Sequence, residues 1–168
     1  HAELVIRGMG VENAKEVSTA GVEASRVHDL GPEGELKGEL GSEGELLGAS
    51  DATEYRAIAA RANYLAPDRP DIQFAVKEIC RHMSAPREGD WINLKRLARY
   101  LLHRPRLVME YKWQREGAVI DVHSDSNWAG CKSTRKSTSG GVVTVGLHCV
   151  KTWSKTQSTI ALSSAEAE

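Results

Sequence analysis

The apolar residues of this chain recur every three to four positions up to about residue 104, and every second position from about 107 onward. The first spacing lines one face of a helix and the second lines one face of a strand. A single switch, without helix and strand units alternating, predicts an α+β fold. The expected order is a small three-helix bundle over 51–106 followed by an antiparallel sheet over 107–168.

In the first expected helix Tyr55, Ile58, Ala59, Ala62 and Leu65 form the inward stripe. Asp51 and Glu54 stand before it at capping-box spacing, and Pro67 stops it. The turn Asp68-Arg69-Pro70-Asp71 opens the second, with Pro70 in the first turn, where a missing N–H costs nothing. Its stripe is Ile72, Ala75, Val76, Ile79, Cys80 and Met83, and Pro86 ends it. The third takes Asp90 as N-cap, carries Trp91, Leu94, Leu97, Ala98, Leu101 and Leu102 inward, and stops at Pro105.

The other face of the third helix is basic. Lys95, Arg96, Arg99 and His103 form a ridge that Arg104 and Arg106 extend, and Lys77 and Arg81 repeat the pattern on the second helix. Such a ridge can track a phosphate backbone or can simply be a solvated face, and both readings stand at this level. Charge is unevenly placed: residues 1–50 hold 10 Asp/Glu against 4 Lys/Arg, whereas 51–117 hold 9 against 13. The acidic stretch is therefore no nucleic-acid surface, and the middle can be one.

Residues 1–50 form the first region. Ala2, Val5, Ile6 and Met9 have the spacing of a short helix within 1–14, after which Gly-Glu-Leu recurs at 34–36, 38–40 and 44–46. Each glycine costs a helix about 1 kcal/mol, and the leucines are too sparse for a core. A flexible acidic linker is expected over 17–49. No apolar run approaches the ~20 residues of a membrane span, and no charged-then-apolar leader stands at the start. Cys80, Cys131 and Cys149 lack any C-x-x-C pair, which argues against a zinc module or a secreted disulfide framework and suits a reducing compartment. An intracellular protein, cytoplasmic or nuclear, with no membrane partner is expected. The first residue is His1, which suggests a processed piece or a fragment of a longer reading frame.

Strands are expected at Leu107–Trp113, Ala118–Asp125, Gly141–Gly146 and Cys149–Ser154, the last two joined as a hairpin. Asp125 shares a strand face with Val119, Asp121 and His123. A carboxylate fixed by a β-branched strand beside a helix start suits a hard cation, which takes oxygen ligands. Glu166 opens the closing helix, and Glu168, roughly 200° further round, cannot also face Asp125. Ser163-Ser164-Ala165-Glu166 is also a capping box, so Glu166 reads either as a ligand or as a cap. Trp91, Trp128 and Trp153 read as core residues.

Several short motifs occur in order: Tyr55-Arg56-Ala57, Arg69-Pro70-Asp71-Ile72, Leu94-Lys95-Arg96, Ser124-Asp125-Ser126-Asn127-Trp128, Arg135-Lys136-Ser137-Thr138, Trp153-Ser154-Lys155-Thr156-Gln157, and Ala161 to Glu168. Over about 52–168 they resemble Ty1/copia-type retrotransposon polyproteins. The match takes in the thumb-like segment after the reverse transcriptase palm and the first half of the ribonuclease H domain. The resemblance implies a ribonuclease H-like sheet after the helices and, in the parent polyprotein, RNA-directed DNA synthesis and cleavage of the RNA strand of RNA–DNA hybrids. Four carboxylates of that family hold two magnesium ions. Asp125 matches the first aspartate and Glu166 the helix-borne glutamate. The other two carboxylates and the polymerase aspartates have no counterpart in 1–168. Asn127 stands where these elements usually have Asp.

The implied partner is an RNA–DNA hybrid or duplex nucleic acid, met by Lys95, Arg96, Arg99 and Arg106 on the helices. In the sheet region Arg135 and Lys136 either touch the hybrid or lie in a solvated loop. Residues 1–168 alone are expected to be catalytically inactive. A non-catalytic nucleic-acid-binding remnant and a decayed element without function remain the alternatives.

Overall fold

The computed structural model describes residues 1–21, 44–115, 119–131 and 134–168, and divides into His1–Leu107 and Val108–Glu168. Within the described residues it is α+β, with five α-helices and one three-stranded antiparallel sheet.

The first unit contains α1 (Ala2–Gly8), α2 (Ala49–Leu65), α3 (Gln73–Arg81) and α4 (Glu88–His103), with a 3-10 turn over Ala66–Asp68. The helical stripes do form its core: Tyr55, Ile58, Ile72, Leu94, Leu97 and Leu101 are all fully buried. α1 joins them, packing against α2 and α4 through Val5 and Ile6. The Tyr55 hydroxyl donates to the Ile79 carbonyl at 2.8 Å, which locks α2 to α3.

Helix starts differ from the sequence reading. α2 begins at Ala49, before Asp51, with Gly48 as N-cap and no side-chain cap bond. α3 begins only at Gln73, because Arg69 to Ile72 form a turn in which Ile72 N–H bonds to Arg69 C=O. α4 begins at Glu88, so Asp90 lies three residues inside its N-cap, Arg87. From there the Asp90 carboxylate accepts the Arg87 N–H at 2.8 Å. An acid in the third helical position satisfies the N-cap N–H, the reciprocal half of a capping box.

Residues 22–43 of the expected linker lie outside the described residues. At its two ends the expectation is corrected: Ala20 is buried, Val17 and Leu47 pack on the core, and Leu46 bridges to Arg87. Small apolar residues at 17 and 20 suffice to bind the chain to a helix face, which glycine counting overlooks.

The second unit holds β1 (Ile120–Asn127), β2 (Thr138–Val145), β3 (His148–Thr156) and α5 (Ser164–Ala167), in sheet order β1-β2-β3 with both pairs antiparallel. Leu107–Trp113 is not a strand. Val108 and Trp113 are exposed, and the stretch is tied down by side chains: Tyr111 Oη donates to Cys149 C=O, and Gln114 Nε2 to Val145 C=O. Alternation marks a segment that can be a strand, and without a neighbour for its backbone groups it forms no ladder.

Gly146, at φ +57°, makes the two-residue β2–β3 turn with Leu147, a geometry that fits strand twist. Gly141 is needed for another reason. The Trp153 indole lies across it, so that an added Cβ would sit 2.2 Å from the ring.

Candidate functional sites

Asp125 stands near the end of β1 opposite Gly140, exposed, with Asp121, His123 and Asn127 on the same face by alternation. Its Oδ1 accepts the Ser126 N–H at 2.8 Å, which fixes the carboxylate and leaves Oδ2 without a protein partner among the described residues. Asn127 serves the sheet itself, since its Oδ1 accepts the Thr138 N–H at 2.7 Å and closes the β1–β2 ladder.

α5 packs against β1, so Glu166 and Asp125 come from neighbouring elements. Three residues set this arrangement. The Trp128 indole N–H donates to Ala161 C=O at 3.0 Å, tying the approach to α5 to the end of β1. Gln157 Nε2 donates to Ser139 Oγ at 2.8 Å and also to Ala167 C=O. Ser137, fully buried, accepts the Ala129 N–H at its hydroxyl. Trp128 is therefore no core residue; it is 49% exposed and works through its N–H. An indole N–H beside a turn was the available signal, since a half-buried Trp usually finds an acceptor for it.

One half of the capping box forms in α5, and the Glu166 carboxylate reaches past the N-cap Ser163 to the residue before it. Glu166 N–H donates to Ser163 Oγ at 3.2 Å, and Glu166 Oε2 accepts the Leu162 N–H at 2.7 Å, leaving Oε1 without a protein partner among the described residues. Among the described residues no group of three or more His, Cys, Asp or Glu converges as a metal cage. Asp125 and Glu166, on elements that pack together, each keep one carboxylate oxygen without a protein partner among the described residues. That donor set is chemically suited to magnesium, which is commonly held by one or two carboxylates with water and phosphate completing its shell.

The basic ridge on α4 is not an open face. The segment after α1 lies along it: Arg99 Nε donates to Lys15 C=O at 2.6 Å, Arg96 Nη2 to Thr19 Oγ1 at 2.7 Å, and His103 Nδ1 meets Glu16 at 2.9 Å. Arg96 and Arg99 are half-buried, while Lys95 and Arg106 are exposed. Burial, and secondarily the Arg99 charge, push the Arg96 guanidinium below its ordinary value. On α3, Arg81 and Lys77 both pair with Glu78.

In the second unit, Arg135 and Lys136 lie on the β1–β2 connection, where Cys131 N–H bonds to Lys136 C=O and Arg135 N–H to Cys131 C=O. Arg135 takes φ +57°, so this turn holds a non-glycine residue in the left-handed region. Lys132 and Ser133 of the same loop lie outside the described residues.

A different basic residue has the most buried site. Arg69, 3% exposed, grips Asp71 with two hydrogen bonds of 2.9 and 2.7 Å, and also donates to Arg104 C=O and Pro105 C=O just past α4. Tyr100 Oη completes the group on Asp71 at 2.8 Å. The conspicuous Arg-Pro-Asp motif thus fastens the C-terminal end of α4.

A helical unit with a basic face, followed by an antiparallel sheet on whose first strand a short helix packs, is the frame that known relatives then narrow. The chain is 38% identical over 120 residues to the retrovirus-related Pol polyprotein from transposon RE2 of Arabidopsis thaliana, and 40% identical over 121 residues to that from transposon RE1. These alignments take in 70% and 71% of the chain. An uncharacterised mitochondrial protein of the same plant is 34% identical over 120 residues, 70% of the chain and 49% of its own length. The chain belongs to the copia-like retrotransposon Pol polyprotein family. It spans 8% of the length of each of the two transposon polyproteins. No family model and no solved structure matches it.

Proposed function

We propose that this chain is the part of a retrotransposon Pol polyprotein where a thumb-like helical unit gives way to the opening half of a ribonuclease H domain. In the whole polyprotein this part would serve cleavage of the RNA strand of an RNA–DNA hybrid. The observation that carries the reading is the packing of α5 on β1, which sets Glu166 on the element beside Asp125. An order of three antiparallel strands and then a helix supports it.

Asp125 and Glu166 would hold the magnesium, which when bound supplies a Lewis acid for phosphodiester hydrolysis. The chain's own contribution is preorganisation. Ser126 N–H fixes one oxygen of Asp125 and Leu162 N–H one oxygen of Glu166, so neither carboxylate must be ordered when a phosphate arrives. Lys95, Arg96, Arg99 and Arg106 in the first unit, and Arg135 and Lys136 in the second, would meet backbone phosphates.

The test is release of labelled RNA from an RNA–DNA hybrid by the polyprotein that carries this segment. Magnesium-dependent release that Asp125→Asn reduces by at least a hundredfold is expected. Undiminished release in Asp125→Asn sinks the reading.

A second reading, nucleic-acid binding without catalysis, is favoured by one observation: Glu166 already has a structural role, bonded at the start of α5 through both its N–H and its carboxylate. Full activity in a Glu166→Gln polyprotein would favour it for that residue.

A further inference from the structure

We propose that Arg96, Arg99 and Thr19 form a preformed seat for a single phosphate group. The proposal rests on the nucleic-acid-binding reading of α4 for its natural ligand, a phosphate of a nucleic-acid backbone. It makes the segment that lies along the ridge part of the site.

Arg96 and Arg99 are three residues apart on α4, so their side chains leave the helix on one face. Among the described residues neither forms an ion pair; the strap's carboxylate, Glu16, is taken by His103. Two guanidinium groups are thus held on one helix face, partly out of water, with no carboxylate of the described residues paired to either. Among the described residues the buried Arg96 Nε–H has no hydrogen-bond partner. Buried cations are normally paired, because an unpaired one loses hydration and gains nothing in return. Burial and the neighbouring Arg99 charge lower the Arg96 guanidinium, the direction that a bound anion would reverse.

The donors left over match a phosphate. Arg99 spends Nε on the Lys15 carbonyl and keeps both terminal nitrogens, while Arg96 spends one hydrogen bond on Thr19 and keeps Nη1. Thr19 Oγ1 accepts from Arg96, so its own proton remains free to donate to an oxyanion. Val17 and Ala20 anchor the strap on the core, so Thr19 is placed before any ligand arrives. Ordering costs are then small, and planar guanidinium forks suit the tetrahedral oxygens of phosphate. Lys15 and Lys95, both exposed, add positive charge nearby.

The test uses the full 168-residue chain in two arms: equilibrium dialysis against inorganic phosphate, and fluorescence anisotropy with a labelled RNA–DNA duplex. Thr19→Val is the primary variant, because it keeps the side-chain shape and lies at the surface. Losing one charge-assisted hydrogen bond should weaken phosphate binding about tenfold. Thr19→Ser should restore it, Arg96→Gln should lower it further, and Lys151→Gln, on β3 of the sheet unit, should leave inorganic phosphate binding unchanged. Far-UV circular dichroism checks that Arg96→Gln retains its helices. Phosphate affinity unchanged in both Thr19→Val and Arg96→Gln overturns the seat. Duplex binding that persists while phosphate does not bind also overturns it, leaving the wider ridge as the nucleic-acid surface. Phosphate binding through these residues, with duplex binding indifferent to them, upholds the seat and overturns its assignment to nucleic acid.

Discussion

The Glu166 carboxylate accepts the backbone N–H of Leu162 at 2.7 Å, four residues upstream and one residue before the N-cap of α5. The side chain named as a ligand by family resemblance is therefore also the one that closes its own helix start. These duties are compatible, since a carboxylate has two oxygens and the cap uses one.

They can be separated by substitution. Glu166→Gln keeps an oxygen for Leu162 N–H, so hydrogen exchange at that amide should stay near the parent rate. Glu166→Ala removes the acceptor and should cost about 1 kcal/mol locally, seen as faster exchange at Leu162. Equal exchange in Ala and Gln variants would show that the cap contributes nothing.

Arg69 and Asp71 predict an acid response of the helical unit. Burial alone would raise the Asp71 carboxyl, but hydrogen bonds from Arg69 and Tyr100 outweigh it and hold the group below its ordinary value. A depressed folded value means stability that is fully present above the unfolded value, about 3.9, and is lost as pH falls through the folded one. Helical unfolding monitored by circular dichroism should steepen below about pH 4. Arg69→Met should flatten that response and cost about 3 kcal/mol, since it leaves a partly buried carboxylate held by Tyr100 alone and two carbonyls without their donor. An unchanged acid midpoint in Arg69→Met would show that Asp71 is not the responsible group.

The helical core was legible because its information is local. Leu94, Leu97, Ala98 and Leu101 recur at the helical period, and all are buried in α4. The β2–β3 hairpin was legible from Gly146 for the same reason. What could not be read depends on partners distant in sequence. Leu107, Met109, Tyr111 and Trp113 alternate as a strand would, yet strand formation needs a neighbour that the local sequence does not specify. Arg96 and Arg99 were recognised as basic, but Lys15 and Thr19, about eighty positions upstream, decide which of their donors are spent. Asp125 and Glu166 were singled out through family motifs, and the sequence did place them on elements that pack together, β1 and α5. Trp128 and Gln157 were not read as positioning groups, because their acceptors are backbone carbonyls in other segments.

The sheet unit should associate. Ile120 and Val122 are 66% and 61% exposed on one face of β1, and by register they lie beside Val145 and Val143 of β2. A contiguous apolar strip on an edge strand favours self-association. The 168-residue chain should bind an apolar-sensing dye and sediment above monomer mass at micromolar concentration. Val122→Lys, which places a charge in the strip, should reduce both. A monomer without dye binding, melting in one sharp step, would contradict this.

Gly141 should resist substitution. A Cβ there meets the Trp153 ring at 2.2 Å and the His123 carbonyl at 2.6 Å. The second contact is backbone, so ring movement alone cannot relieve it. Gly141→Ala should destabilise the sheet unit by about 1–3 kcal/mol, with a shift in Trp153 fluorescence. Unaltered stability and emission would mean that the two strands separate at little cost.

Residues 1–168 by themselves should not cleave an RNA–DNA hybrid. In-line phosphodiester hydrolysis with two metal ions needs ligands enough to clamp both the attacking and the leaving oxygen. On β1 and α5 the chain offers Asp125 and Glu166, each with one oxygen already bound to a backbone N–H. Asp121 shares the strand face, but it stands four residues before Asp125, roughly 13 Å along β1, too far to serve the same ion. The expected result is hybrid that stays intact with magnesium, at any concentration of chain that still binds it. Binding should weaken with salt, with log K falling against log salt at a slope of roughly -2 to -3 for about three phosphates neutralised. That outcome separates contact with the hybrid from chemistry on it. Chelator-sensitive release of RNA by residues 1–168, lost in Asp125→Asn, would show instead that two anchored carboxylates suffice.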